Sequence, residues 1–171
     1  VSKPGYQTAW TTVKMNESKW ISITLTPLPD YKIPVVLGWN LISSPLILAD
    51  TLLPSALQDF DQDTYWDCVK RYDASNVSDP WKTYRVGSTV NDLQNVDDTV
   101  GLWVHVTSIG DGYLNLPGYG PGTTQIPLSA GWNLVGYPTV CLTMTVGNAL
   151  WGTGADRVEV FDPVSPFIKE V

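Results

Sequence analysis

The sequence predicts an all-β protein: an antiparallel, sandwich-like fold built by internal duplication, with a pseudo-two-fold repeat. Three observations lead there. "LGWNLISSP" at 37–45 recurs as "AGWNLVGYP" at 130–138, an offset of 93 residues. Short runs of β-branched and aromatic residues alternate with polar ones, the period of half-buried strands. Fourteen glycines and 13 prolines punctuate the 171 residues, leaving many turns and no long amphipathic helix.

The elements follow the repeat. Trp10–Val13 and Leu102–Thr107 ("LWVHVT") alternate as strands. "WISITL" at 20–25 and "YLNL" at 113–116 read as their hairpin partners across the turns "NESK" and "IGDG". Ile33-Pro34 and Ile126-Pro127 then lead into the two GWN strands. In "GWNLI", Trp39 and Leu41 share one face, and Asn40 and Ile42 the other. Pro45 and Pro138 end these strands. "SALQDF" and "GNALWG" read as short helical turns, with Ala56-Leu57 matching Ala149-Leu150. A further strand runs through "WDCVKRY" and "RVEVF", where the offset becomes 89 because the first copy has four extra residues in "QDFDQDTYWD". The copies divide as 1–93 and 94–171, the second shorter and ending mid-unit, or intertwined in one domain.

A unit that runs from one GWN to the next spans Gly38 to about Ala130. Residues 1–37 then carry the closing strands of a unit and residues 131–171 the opening strands of another. Unpaired apolar edges are costly and invite pairing. Two arrangements meet that cost: closure of the chain's own ends, which is the preferred expectation, or pairing with the halves of a neighbouring chain.

Composition narrows the function. Ten Lys and Arg against 17 Asp and Glu give a formal net charge of −7, so the cationic footprint of a nucleic-acid binder is missing. No apolar run approaches the 18 or so residues of a membrane span. The start at Val1 suggests a processed product or an excised piece. Asn16 and Asn76 lie in N-x-S sequons beside expected turns, candidate glycosylation sites in an extracellular protein. Cys68 and Cys141 permit one disulfide or stand as two separate thiols.

Candidate chemistry is sparse. Asp59, Asp61 and Asp63 alternate in an acidic loop and offer oxygen ligands to Ca²⁺, the one metal cofactor the sequence suggests. Thr64 and Lys70 stand where an EF-hand loop carries Gly and Glu. His105, the single histidine, sits in a strand away from any nucleophile motif and reads as structural. Asp97-Asp98 reads as a turn. No G-x-S-x-G, H-E-x-x-H or P-loop pattern occurs, so the expectation is a non-enzymatic protein. The repeat-matched Trp10, Trp39, Trp103 and Trp132 are assigned to core packing. The aromatics without a matched partner, Trp66, Trp151, Tyr119 and Tyr137, are left free to stack on sugar rings.

Gly38-Trp39-Asn40-Leu41-Ile42, Tyr72-Asp73, Trp81, Gly101-Leu102-Trp103-Val104 and Gly131-Trp132-Asn133-Leu134-Val135 together resemble the repeated GWNLIS β-modules of archaeal and bacterial secreted, cell-surface and surface-layer-like proteins. The resemblance covers most of residues 33–171 and carries no catalytic signature. It implies an extracellular structural subunit of a surface layer, sheath or filament. Its partners would be its own copies or neighbouring surface-protein modules. The alternative is a polysaccharide-binding or adhesion module of a larger secreted protein.

Overall fold

The computed structural model describes residues 6–12, 20, 22–26, 30–57, 65–141, 143–162 and 169–170. It is nearly all β, as the sequence predicts. A sandwich occupies Asp30 to Tyr119. Strands β1 (Asp30–Pro34), β7 (Tyr113–Tyr119) and β3 (Ile47–Leu48) form one antiparallel sheet in the order β1-β7-β3. Strands β2 (Gly38–Ile42), β6 (Leu102–Ser108), β4 (Tyr65–Tyr72) and β5 (Trp81–Arg85) form the other, in the order β2-β6-β4-β5. This module runs across the 93/94 boundary: the first copy supplies β1 to β5 and the second supplies β6 and β7.

The core lies between the two sheets. Leu102, Val104 and Val106 point inward from β6, Leu114 and Leu116 from β7, and Ile42 and Val69 from β2 and β4. The period of two is clean on β6, where Trp103, His105 and Thr107 alternate outward. On β4 it slips: the register against β6 shifts between Trp66 and Cys68, so that Cys68 and Val69 are both buried. The extra residue at the bulge lets Trp66 and Val69, three apart, share the inward face opposite Val106 and Val104, while Cys68 is buried on the other face, opposite His105. The predicted helical turns are present as a single 3-10 turn at Ser55–Leu57 and a four-residue helix α1 (Val146–Ala149), whose Thr145 side chain accepts the Asn148 N–H.

One expected pairing is corrected. β6 and β7 are not a hairpin: the chain leaves one sheet at Ser108 and enters the other at Tyr113. Gly112, at φ +85°, takes a conformation that a β-carbon would strain, and its carbonyl accepts the Val35 N–H at 2.9 Å. β1 and β2 make the matching change of sheet between Pro34 and Gly38.

The GWN motif is the device that turns this corner. A strand that switches sheets leaves backbone groups without ladder partners, and buried ones must be satisfied locally. Gly38, at φ +91°, makes the turn. Asn40, 1% exposed, then aims its amide back at the corner. Its Oδ1 accepts the Val36 N–H at 2.9 Å, and its Nδ2 donates to the carbonyls of Val36 at 2.8 Å and Gly38 at 3.0 Å.

The second copy repeats the corner bond for bond. Asn133 Oδ1 accepts the Ser129 N–H at 2.8 Å, and Nδ2 donates to Ser129 at 2.8 Å and Gly131 at 2.9 Å, with Gly131 at φ +92°. At the place of the β4–β5 hairpin, β8 (Glu159–Val160) pairs antiparallel with β9 (Lys169–Glu170), in a register two residues tighter than the offset of 89 would give.

Candidate functional site

Two surfaces stand out, and both derive from the GWN corner. The first is the outer face of the four-stranded sheet. Because Asn40 and Ile42 turn inward, Trp39 and Leu41 turn outward. On β6, Trp103 and His105 do the same beside them, since Leu41 pairs with Trp103 and Trp39 with His105. Lys70 lies opposite Trp103 from the β4 side. The result is an open groove of about 430 Å³ lined by Trp39, Lys70, Trp81, Trp103 and Phe161.

The rings are held by one another. Trp39 lies 5.0 Å from the His105 ring, Tyr72 and Trp81 meet edge-on at 5.1 Å, and Trp103 and Phe161 at 4.6 Å. The Lys70 ammonium stands 5.5 Å over the Trp39 ring, within cation–π range. His105 Nδ1 donates to the Asp67 carboxylate at 2.7 Å, since a carboxylate can only accept. A wall of half-exposed indoles with a cation and a carboxylate at its rim can stack on flat or ring-shaped ligands.

The second surface is the repeated corner itself, at Ser129–Val135. A short antiparallel bridge joins Val135 to Val100 of the central module. The Gly136 N–H donates to Thr99 at 2.8 Å, and the Gly101 N–H to Leu134 at 3.4 Å. The approach is close enough that a β-carbon on Gly136 would lie 2.5 Å from the Asp98 carbonyl oxygen. Beyond this contact the second copy is open where the first is closed. Val135 is 39% exposed, whereas its counterpart Ile42 is 7% exposed. Leu57 is fully buried, while its counterpart Leu150 lines an open groove of about 450 Å³ with Val146, Trp151 and Val158.

The N-terminal segment is open in the complementary sense. Its positions match β6 and β7 at the offset of 93, yet Trp10–Thr12 and residues 22–26 form no strand. Trp10 is 84% exposed and Trp20 is fully exposed. Gln7 N–H bonds within this segment, to Thr26 at 2.8 Å. The described residues of the C-terminal unit cover neither ring.

The individual residues sort as follows. Trp66, expected as a free stacking ring, is buried, and its Nε1 donates to the Leu57 carbonyl at 2.8 Å. It is a core residue, because the β4 bulge turns it inward. Trp39 and Trp103, expected in the core, face outward. Trp151 is highly exposed, and Tyr119 and Tyr137 are about half exposed; the groove lining does not include these three. Of the two arrangements open to Cys68 and Cys141, the structure has the separate thiols, Cys68 buried and Cys141 exposed. Burial pushes the Cys68 thiol up, while the Thr143 hydroxyl, 3.3 Å from Sγ, holds Cys141 below the ordinary thiol range.

Asn76 sits in the β4–β5 loop, its amide oxygen accepting from the Ser78 hydroxyl at 3.1 Å and the Asp79 N–H at 3.2 Å. Asn16, and the candidate Ca²⁺ ligands Asp59, Asp61 and Asp63, lie outside the described residues. No group of three or more His, Cys, Asp or Glu suited to a metal occurs among the described residues, and no described helix is long and apolar enough to cross a membrane. Asp97 caps a turn as expected, accepting the Thr99 N–H at 2.8 Å.

The sequence carried a signal for the outward tryptophans. His105 and Thr107 share the Trp103 face, while Leu102, Val104 and Val106 hold the other. A buried Asn40 hid the same signal on β2, since a polar residue on the inward face argues against that face being the core until its backbone partners are seen. Compared with family models, curated proteins and solved structures, the chain matches none.

Proposed function

We propose that this protein is a non-enzymatic extracellular structural module, a subunit of a cell-surface layer, sheath or filament that assembles through its β-strand edges. The observation that carries the reading is the open second copy. Its corner has the same three Asn bonds as the closed corner, yet its apolar side chains lack the cover that β6 and β7 give the first. Exposed apolar surface of this kind marks an interaction site. The resemblance to GWNLIS modules and the two sequons favour an extracellular setting.

Electron microscopy and size exclusion of the pure chain test this. Concentration-dependent polymers are expected. A strict monomer at high concentration would remove the reading.

The aromatic groove favours a second function, binding of a polysaccharide by ring stacking. A polysaccharide pull-down that retains the protein and loses it on Trp39→Ala or Trp103→Ala supports this. Retention that survives both substitutions counts against it.

A further inference from the structure

We propose that the open second copy is completed by the N-terminal segment of another molecule of this chain, in the register that β6 and β7 hold in the closed module. The inference rests on the assembly reading and adds its partner and its geometry. In the central module Trp39 pairs with His105, Asn40 with Val104 and Leu41 with Trp103. Moving both sides by the repeat offset places Trp132 opposite Thr12, Asn133 opposite Thr11 and Leu134 opposite Trp10 of the incoming chain.

Three observations support that occupant. The acceptor is preformed: Asn133 and Gly131 hold the corner in the geometry of Asn40 and Gly38 without a strand beside them. The donor is uncovered, with Trp10 and Trp20 exposed. The second groove matches the second donor strand. In the closed module β7 lies against the Ser55–Leu57 turn. Residues 20–26 correspond to β7, and the groove beside Leu150 stands where they would lie. Ile23 and Leu25 are the half-buried members of an alternating run whose other described residues are exposed, the pattern of a strand with one face to bury. Donor and acceptor are different surfaces of one chain, so the contact is heterologous and propagates head to tail into rings or filaments. Strand addition of this kind draws affinity from main-chain bonds and specificity from alternate side chains.

Cross-linking tests the register on the full chain. In a Cys141→Ser background, molecules carrying Thr12→Cys are mixed with molecules carrying Trp132→Cys under mild oxidation. Opposed residues of an antiparallel pair lie close enough for a disulfide. The expected result is a covalent heterodimer as the dominant product, with little from Thr11→Cys, whose side chain faces the other side of the strand. Trp10→Cys with Leu134→Cys repeats the test one pair along, independently of the Trp132 ring. Polymers that form without either cross-link, or that link residues 11 and 12 equally well, overturn the register and leave assembly standing. Absence of both polymers and cross-links overturns assembly and register together.

Discussion

Replacing Asn40 by alanine should unfold the corner that defines the module. The side chain makes three bonds of 2.8–3.0 Å to the backbone of Val36 and Gly38, in a site where Asn40 is 1% exposed. A hydrogen bond contributes a net ~0.5–1.5 kcal/mol, and stranded buried partners push the cost toward the upper end, so the loss should be about 3 kcal/mol. For a module of this size that lowers the melting temperature by roughly 12–24 °C. Asn40→Asp should do no better, because a carboxylate cannot donate to the two carbonyls and its charge is buried. Asn133→Ala breaks the same three bonds in a setting that water reaches, so dilute chain should lose less than about 1 kcal/mol. Thermal unfolding followed by tryptophan fluorescence, at a concentration below assembly, reads all three variants. Equal losses at Asn40 and Asn133, or a loss under ~0.5 kcal/mol at Asn40, would refute the view that the buried corner holds the fold.

Further outcomes follow from single contacts. A β-carbon on Gly118 would sit 2.4 Å from the Ile47 carbonyl oxygen, so Gly118→Ala should destabilise the β3–β7 pairing by about 1–3 kcal/mol in denaturant unfolding. Gly136→Ala meets the Asp98 carbonyl in the same way but should loosen only the second corner, seen as faster amide exchange at Gly101 and Gly136 with the main unfolding midpoint unchanged. A thiol reagent should titrate Cys141 in the native protein and Cys68 only after denaturation; two reactive thiols in the native state would contradict the burial of Cys68. Asp73 is held below the ordinary carboxylate range by the Ser75 hydroxyl at 2.6 Å and the Ser75 N–H at 3.0 Å. A depressed carboxylate stabilises above its unfolded value, about 3.9, and loses that contribution as pH falls through the folded value. Protection of the Ser75 amide relative to its intrinsic exchange rate should therefore fall only below about pH 4, and a fall near neutral pH would count against that turn.

Much of the fold was legible in the sequence because the repeat is written twice. The alternation at Leu102–Thr107 set both faces of β6, and the matched Ala56-Leu57 and Ala149-Leu150 marked both helical turns. What stayed hidden was non-local. "YLNL" has the pattern of a hairpin partner, and only the packing of two sheets shows that the chain crosses between them at Gly112. Trp66 and Trp39 exchanged their expected places for a related reason. A bulge on β4 turned one inward, and the need to satisfy a sheet-switching backbone brought Asn40, rather than its tryptophan neighbour, into the core. The groove also draws Phe161 from a strand region far along the chain, a juxtaposition that no local pattern announces.

Amide hydrogen exchange across a concentration series addresses the central claim most directly. If the second copy is completed by the N-terminal segment of a neighbour, protection at Trp10–Thr12 and at Trp132–Leu134 rises together with protein concentration. That rise should track polymer formation while β6 and β7 stay protected throughout. Polymers that grow while both segments exchange freely would contradict the account.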